Sequence, residues 1–256
     1  RFCNGTTKND FPLSDARVAD KANYQGGDIE GVLKKLREGY FEKIGINCLW
    51  ISPVFTNPAE SYQEYPAPHR YYSGYHGYWP VSSTEIDYRL GNDSVFMLLS
   101  KEVHEDNMNI ILDFVANHVH QNHPLYQSHK DWATQLNLPD GRQNIRLWDE
   151  CRLTTWFDTF LPSWDFDNPA VTDTVSEYAI CWLSKFNLDG FRHDATKHIP
   201  EVFWRTLTKK IKSDFSDKSI YQIGETFGSR ELIADYVGSG MMDGQFDFNL
   251  YFEVWN

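Results

Sequence analysis

The chain has 256 residues, 41% hydrophobic and 16% aromatic, enough for one substantial core in a large α/β domain or for two small domains. Its net charge of −12 repels phosphate backbones and anionic bilayers, which argues against nucleic acid and anionic membrane surfaces as partners. No apolar run approaches the roughly 20 residues of a membrane span, and the four cysteines (Cys3, Cys48, Cys151, Cys181) form no CxxC pair, which argues against a zinc ribbon.

The opening "RFCNG" lacks a Met, so a processed or trimmed N-terminus is expected. "DIEGVLKKLREGYFEKIG" carries apolar residues at Ile29, Val32, Leu33, Leu36, Tyr40 and Phe41, which is helical spacing. "INCLWISPVF" is a short continuous apolar run, the pattern of a strand buried on both faces. Cys48 in that run and Cys181 in "YAICWLSKF" read as small buried hydrophobes. A long loop rich in Tyr, Pro and Gly follows the strand. "NDSVFMLLSKEVHED" is helical, with Asn92 or Asp93 as N-cap, and "MNIILDFVANH" is the next strand. Residues 119–168 show no repeated period and read as a loop-rich insertion. "PAVTDTVSEYAICWLSKFN" predicts a helix with Pro169 in its first turn. Strand "LDGFRHD", helix "PEVFWRTLTKKIKSDF", strand "SIYQIGETF", helix "SRELIADYVG" and strand "GQFDFNLYF" complete the series.

This alternation of helix and buried strand predicts a parallel sheet with crossover helices. Neither GxGxxG after the first strand nor GxxxxGK[ST] is present, so dinucleotide and P-loop folds lose their main support. A (β/α) barrel remains, and in such barrels the strand C-termini carry the chemistry. Here they offer Asp113, Asn117 and His118, then Arg192, Asp194 and His198, then Glu225. Asp194 and Glu225 end neighbouring strands and can face one cavity, as glycoside hydrolysis requires of its two carboxyl groups. Arg192, two residues before Asp194, points to the same side of its strand and is expected to hold Asp194 ionised. Glu225 stands beside Phe227 in a less charged setting, where a raised pKa would suit an acid catalyst.

"DFVANH" (residues 113–118), "DGFRHDATKH" (189–198) and "GETF" (224–227) resemble, in order, the first three signature regions of the α-amylase family of glycoside hydrolases. "GYHGYWPVSSTEIDYRLG", "YQGGDIEGVLKKL" and "GINCLWISPVF" also resemble segments of that family, so the likeness covers nearly the whole chain. It implies a (β/α)8 TIM-barrel catalytic domain, residues 1–118 and 169–256, with a short domain-B insertion at 119–168. It further implies Asp194 as the nucleophile that forms a covalent glycosyl intermediate, and Glu225 as acid and then base. Tyr78 would stack on the sugar at the cleavage point with Trp79 close by, unless both merely pack the loop. His118 and Arg192 would contact that sugar or the nucleophile, Asp113 would orient Arg192, and Lys197 and His198 would line the leaving-group side.

A calcium ion is also implied by "RFCNGTTKND", which resembles the calcium loop of cyclodextrin glucanotransferases and neopullulanases. Asn4, Asn9, Asp10 and Asp28 with the Gly26 carbonyl would be its oxygen ligands; Thr6 stands where the family usually has Asp or Asn. The family's other calcium site would need an acid where Ser163 stands, so no metal is expected beside Asn117. The fourth signature, a His-Asp pair, is not found after Glu225, and the segments match strands two to six of the barrel. The first, seventh and eighth strands are therefore expected to lie in residues outside this sequence.

The implied function is retaining cleavage of α-1,4-glucosidic bonds in starch, maltooligosaccharides or cyclodextrins. Transglycosylation by the same site, or carbohydrate binding on an inactive barrel, are the alternatives. A polymeric substrate favours a secreted or periplasmic home.

Overall fold

The computed structural model describes residues 13–255; Asn4, Thr6, Asn9 and Asp10 lie outside them. The Asp28 carboxylate accepts the Gly31 amide at 2.7 Å and so opens helix α1 (Ile29–Arg37), which buries Ile29, Leu33 and Leu36. Gly39 takes a left-handed φ of 65°, so the continuous helical pattern becomes two helices, with α2 at Tyr40–Lys43. Strand β1 (Cys48–Ile51) follows. The long loop after it holds two small antiparallel ribbons: β2 (Phe55–Thr56) pairs with β5 (Ser82–Ile86), and β3 (Tyr62–Gln63) with β4 (Tyr71–Tyr72). Asn92, not Asp93, caps α3 (Asp93–Glu105) by accepting from the Val95 amide. Strand β6 (Asn109–Phe114) leads into residues 115–168, where α4 (Pro124–Ser128), one short 3-10 turn and isolated bridges are the only regular structure described. Then come α5 (Pro169–Phe186), β7 (Gly190–His193), α6 (Glu201–Asp214), β8 (Tyr221–Gly224), α7 (Arg230–Ala234), β9 (Gly244–Gln245) and α8 (Phe248–Trp255).

Five strands form one parallel sheet in the order β1-β6-β7-β8-β9, an open arc of a (β/α) barrel. Strand alternation divides the side chains. Leu49, Ile110, Leu112, Phe114 and Phe191 join the core with Phe96, Leu99, Trp182, Phe186 and Trp204 of the helices. Each fully buried aromatic there contributes about 2–3 kcal/mol of transfer free energy. The other face carries Trp50, Ile111, Asp113 and Arg192, with Trp50 paired to Ile111 and Asp113 to Arg192 across the ladder. Gly190 allows β7 and β8 to approach, since a Cβ there would sit 1.9 Å from the Tyr221 carbonyl oxygen.

Four expectations are corrected. Strand β1 is not buried on both faces: Cys48 and Trp50 are exposed, because among the described residues β1 lies at the edge of the sheet and only its Leu49 face meets the helices. Cys181 is exposed too, lying on the solvent stripe of α5 between the buried Ile180 and Trp182. The last predicted strand pairs over only Gly244–Gln245, and the aromatic run after it coils into α8. Its alternation reads as a strand, but it finds no ladder partner among the described residues beyond the pairing of β9 with β8. The segment "SRELIADYVG" is helical only over Arg230–Ala234.

Candidate active site

Parallel strands bring Asp113, Arg192, Asp194 and Glu225 to one end of the sheet. Register places Asp113 opposite Arg192 and His193 opposite Gly224. Arg192 is buried, and its guanidinium serves three carboxylates. Nη1 donates to Asp113 Oδ1 at 2.7 Å and to Asp194 Oδ1 at 2.8 Å, while Nη2 meets Glu225 Oε2 at 2.7 Å. The less charged setting expected for Glu225 is thus corrected: β7 and β8 are neighbours, and the arginine reaches across.

One cation against three acids leaves an excess of negative charge in a poorly solvated place. Burial pushes Asp113 up to about 7, with Asp194 adding to the rise and Arg192 opposing it. Burial also pushes Asp194 up against the pull of Arg192, so the arginine does not alone decide its ionisation. Glu225 is raised by burial and by Asp194, again against Arg192. The three carboxyl groups share one cation and feel one another's charge, so all three are raised and their titrations are coupled. That suits a site needing one ionised and one protonated carboxyl group.

Tyr78 arrives from the loop between β4 and β5. Its hydroxyl donates to Asp113 Oδ2 at 2.8 Å, and Arg192 lies 5.9 Å from its ring centroid. Gly77 makes this approach possible: at φ 90° a Cβ would sit 2.4 Å from the Pro53 carbonyl oxygen. His118 is sealed beneath, its Nε2 3.0 Å from the Tyr78 carbonyl oxygen and its ring stacked on Phe157. Burial lowers its pKa to about 4, so it is neutral and donates to that carbonyl. Trp79 points away into a packed cluster with Phe160 and Leu161. Lys197 and His198 follow Asp194 in a buried 3-10 turn (Thr196–His198); Lys197 Nζ lies 3.6 Å from Asp149 Oδ1. The turn is tied to Glu225, because the Thr196 amide donates to the Glu225 carbonyl and the Glu225 amide to Thr196 Oγ1.

The structure therefore brings Tyr78, Arg192, Asp194 and Glu225 together, with Lys197 and His198 one turn away, and keeps Trp79 and His118 in supporting packing. Sequence reasoning missed Trp50. Its Nε1 donates to Asp113 Oδ2 at 3.2 Å and its ring lies 5.5 Å from the Arg192 guanidinium. Only the pairing of β1 with β6 reveals this contact. Beside the cluster, Asn117 Nδ2 donates to Ser163 Oγ, which in turn donates to the Thr155 carbonyl. Asp28 and Gly26, expected calcium donors, sit on the loop before α1, with Asp28 buried and capping that helix.

The whole chain, residues 1–256, matches the model of the alpha-amylase catalytic domain. It is 27% identical over 244 residues to the intracellular maltogenic amylase of Bacillus subtilis, a match covering 90% of this chain and 37% of that protein. Among solved structures it resembles an Anoxybacillus alpha-amylase (TM-score 0.81, 31% identity, 99% of this chain and 51% of that one). It also resembles the alpha-amylase of Geobacillus thermoleovorans solved with acarbose (TM-score 0.77, 32% identity, 97% and 51%). The chain thus spans about half or less of the length of these relatives.

Proposed function

Since the chain belongs to the alpha-amylase family, we propose that it carries the two catalytic carboxyl groups of a retaining glycoside hydrolase acting on α-1,4-linked glucans. The observation that carries this reading is the bridging of Asp194 and Glu225 by one buried arginine at adjacent strand ends. In the proposed cycle Asp194 attacks the anomeric carbon while Glu225 gives its proton to the leaving glycosidic oxygen. The C–O bond to the leaving sugar breaks and a glycosyl-Asp194 ester forms. Glu225, now a carboxylate, removes a proton from water, and the water oxygen displaces Asp194. Arg192 fixes the nucleophile and offsets the charge on both carboxylates. Asp113 and Trp50 fix Arg192, and the Tyr78 ring offers an aromatic face to the sugar. Lys197 and His198 line the side from which the leaving glucan departs, and residues 119–168 form the wall of the cleft above them.

Calcium belongs to the same proposal. The Asp28 carboxylate and the Gly26 carbonyl are hard oxygen donors of the kind calcium takes. Among the described residues no three His, Cys, Asp or Glu side chains cluster to hold a metal; the further donors that the resemblance implies are Asn4, Thr6, Asn9 and Asp10. Bound calcium would stiffen the loop before α1 and take no part in proton transfer. Thermal unfolding with added calcium and with a chelator tests it: equal midpoints remove the ion from the scheme.

The activity test is reducing-sugar release from soluble starch, with Glu225→Gln as control and proton NMR of the first product anomer. Release by the native chain alone, with the α-anomer formed first, supports the proposal. Release unaffected by the substitution, or the β-anomer first, overturns the assigned roles. No release by the native chain overturns the claim that this chain hydrolyses glucans.

A further inference from the structure

Arg152 lies in the loop-rich stretch between β6 and α5, yet its side chain reaches the turn that follows Asp194. Nη1 donates to the Lys197 carbonyl oxygen and to Tyr236 Oη, the latter at 2.6 Å. The Tyr236 hydroxyl donates to the same Lys197 carbonyl at 3.3 Å. The link is reciprocal, because His198 Nδ1 lies 2.8 Å from the Arg152 carbonyl oxygen and donates to it. Burial keeps the His198 pKa low, at about 4, so one ring nitrogen carries the proton and the other is free to accept. Trp148 and Phe157, from the same stretch, close on the His198 ring edge-on at 5.3 and 5.2 Å. Lys197, His198 and Tyr236 are all more than nine-tenths buried, so the carbonyl that Arg152 satisfies has little access to water.

We propose that Arg152 is a positioning residue, a clasp that sets Lys197 and His198 and thereby the binding of the leaving-side part of the substrate. The proposal rests on the glycosidase reading above. Arg152 has no described contact with Asp194 or Glu225; what it holds is the backbone and ring of the two residues after the nucleophile. Three separate segments meet at this point, at residues 152, 197 and 236, so the guanidinium couples the inserted stretch to the catalytic end of the sheet. The turn itself favours such a device. Ala195 sits at φ 51°, a left-handed conformation unusual for a side chain larger than Gly, and neighbouring contacts must hold it.

The test compares Arg152→Ala and Arg152→Lys with the native chain in two assays. The first measures kcat and KM on maltoheptaose, which fills the leaving side, and on 4-nitrophenyl α-maltotrioside, whose small leaving group barely enters it. The expected result is a KM for maltoheptaose raised about tenfold in Arg152→Ala, in line with one lost charge-assisted hydrogen bond. The nitrophenyl substrate changes less than twofold, and Arg152→Lys recovers part of the loss. An equal fall in kcat/KM on both substrates overturns the proposal and makes Arg152 a general stability residue. The second assay is amide hydrogen exchange across residues 195–199 with strand β7 as internal reference. Faster exchange in the turn alone is expected, and unchanged exchange overturns the clasp. If the native chain turns over neither substrate, the glycosidase reading fails, and the clasp is decided by exchange alone.

Discussion

Asp113→Asn probes the electrostatics of the cluster most directly. Asp113 is fully buried and accepts from Arg192, Tyr78 and Trp50. Three donors favour its ionised form, whereas burial and the nearby Asp194 oppose it, and the balance lifts it from the ordinary 3.8 to about 7. The sign follows from linkage. A carboxyl group whose folded pKa is raised keeps a proton that the unfolded chain has already lost, so stability falls as pH rises from about 4 to about 7. At about 1.4 kcal/mol per pH unit the full penalty above pH 7 is about 4 kcal/mol, of which about 2 kcal/mol develops between pH 5.5 and pH 8. The amide cannot ionise and lacks this slope. It carries instead a pH-independent cost of about 1–3 kcal/mol, because its NH2 faces the Trp50 donor, which cannot turn round to accept. Urea unfolding of both proteins at several pH values measures the difference. The variant is expected to start less stable at pH 5.5 and to gain about 2 kcal/mol on the native chain by pH 8. Parallel curves would falsify the reasoning and show that the three donors keep Asp113 ionised throughout.

Acid sensitivity is a second expectation: burial lowers His118, His120, His123 and His198 to about 4 and His193 to about 3. A base with a depressed folded pKa stabilises above its unfolded value of about 6.5 and loses that contribution as pH falls toward 4, by up to about 3 kcal/mol for each residue. Acting together they rival the whole stability of a domain, about 5–15 kcal/mol, so circular dichroism against pH should show cooperative unfolding between pH 6.5 and 4. Gly77→Ala should disturb the Pro53 carbonyl and displace Tyr78, and on the proposed glycosidase reading it should raise KM for maltooligosaccharides; an unchanged KM refutes the placement of Tyr78. Trp79→Ala opens a cavity among Phe160, Leu161 and Tyr62 and should cost about 3–5 kcal/mol in urea unfolding; a loss under 1 kcal/mol contradicts its assignment to packing. Cys48 and Cys181 should both react with a thiol reagent in the folded protein, and protection of either until denaturant is added contradicts its exposure.

Much of the fold was legible because its physics is local. The 3.6-residue spacing of α1, α3, α5 and α6, the Asn92 cap, the Pro169 start of α5 and the apolar run of β6 each depend on near neighbours in the chain. Chain-local signals also mark Asp113, Arg192, Asp194 and Glu225 as strand-end polar residues. The failures share one cause. Whether Trp50 is buried, whether Phe248–Trp255 pairs as a strand, and whether Cys181 faces the core depend on which element lies alongside, and alternation within a segment carries no record of its neighbour.

The sequence by itself determined an alternating α/β chain with two acids and an arginine at the ends of adjacent parallel strands. Only the tertiary structure decided that this arginine serves three carboxylates at once, that Trp79 packs away from the site, and that Arg152 reaches the turn after Asp194. Contacts such as Arg152 to Lys197 or Trp50 to Asp113 join residues 45 and 63 positions apart. They exist because sheet register and loop path bring distant side chains within hydrogen-bond range, which is a property of the assembled layers and not of any one segment.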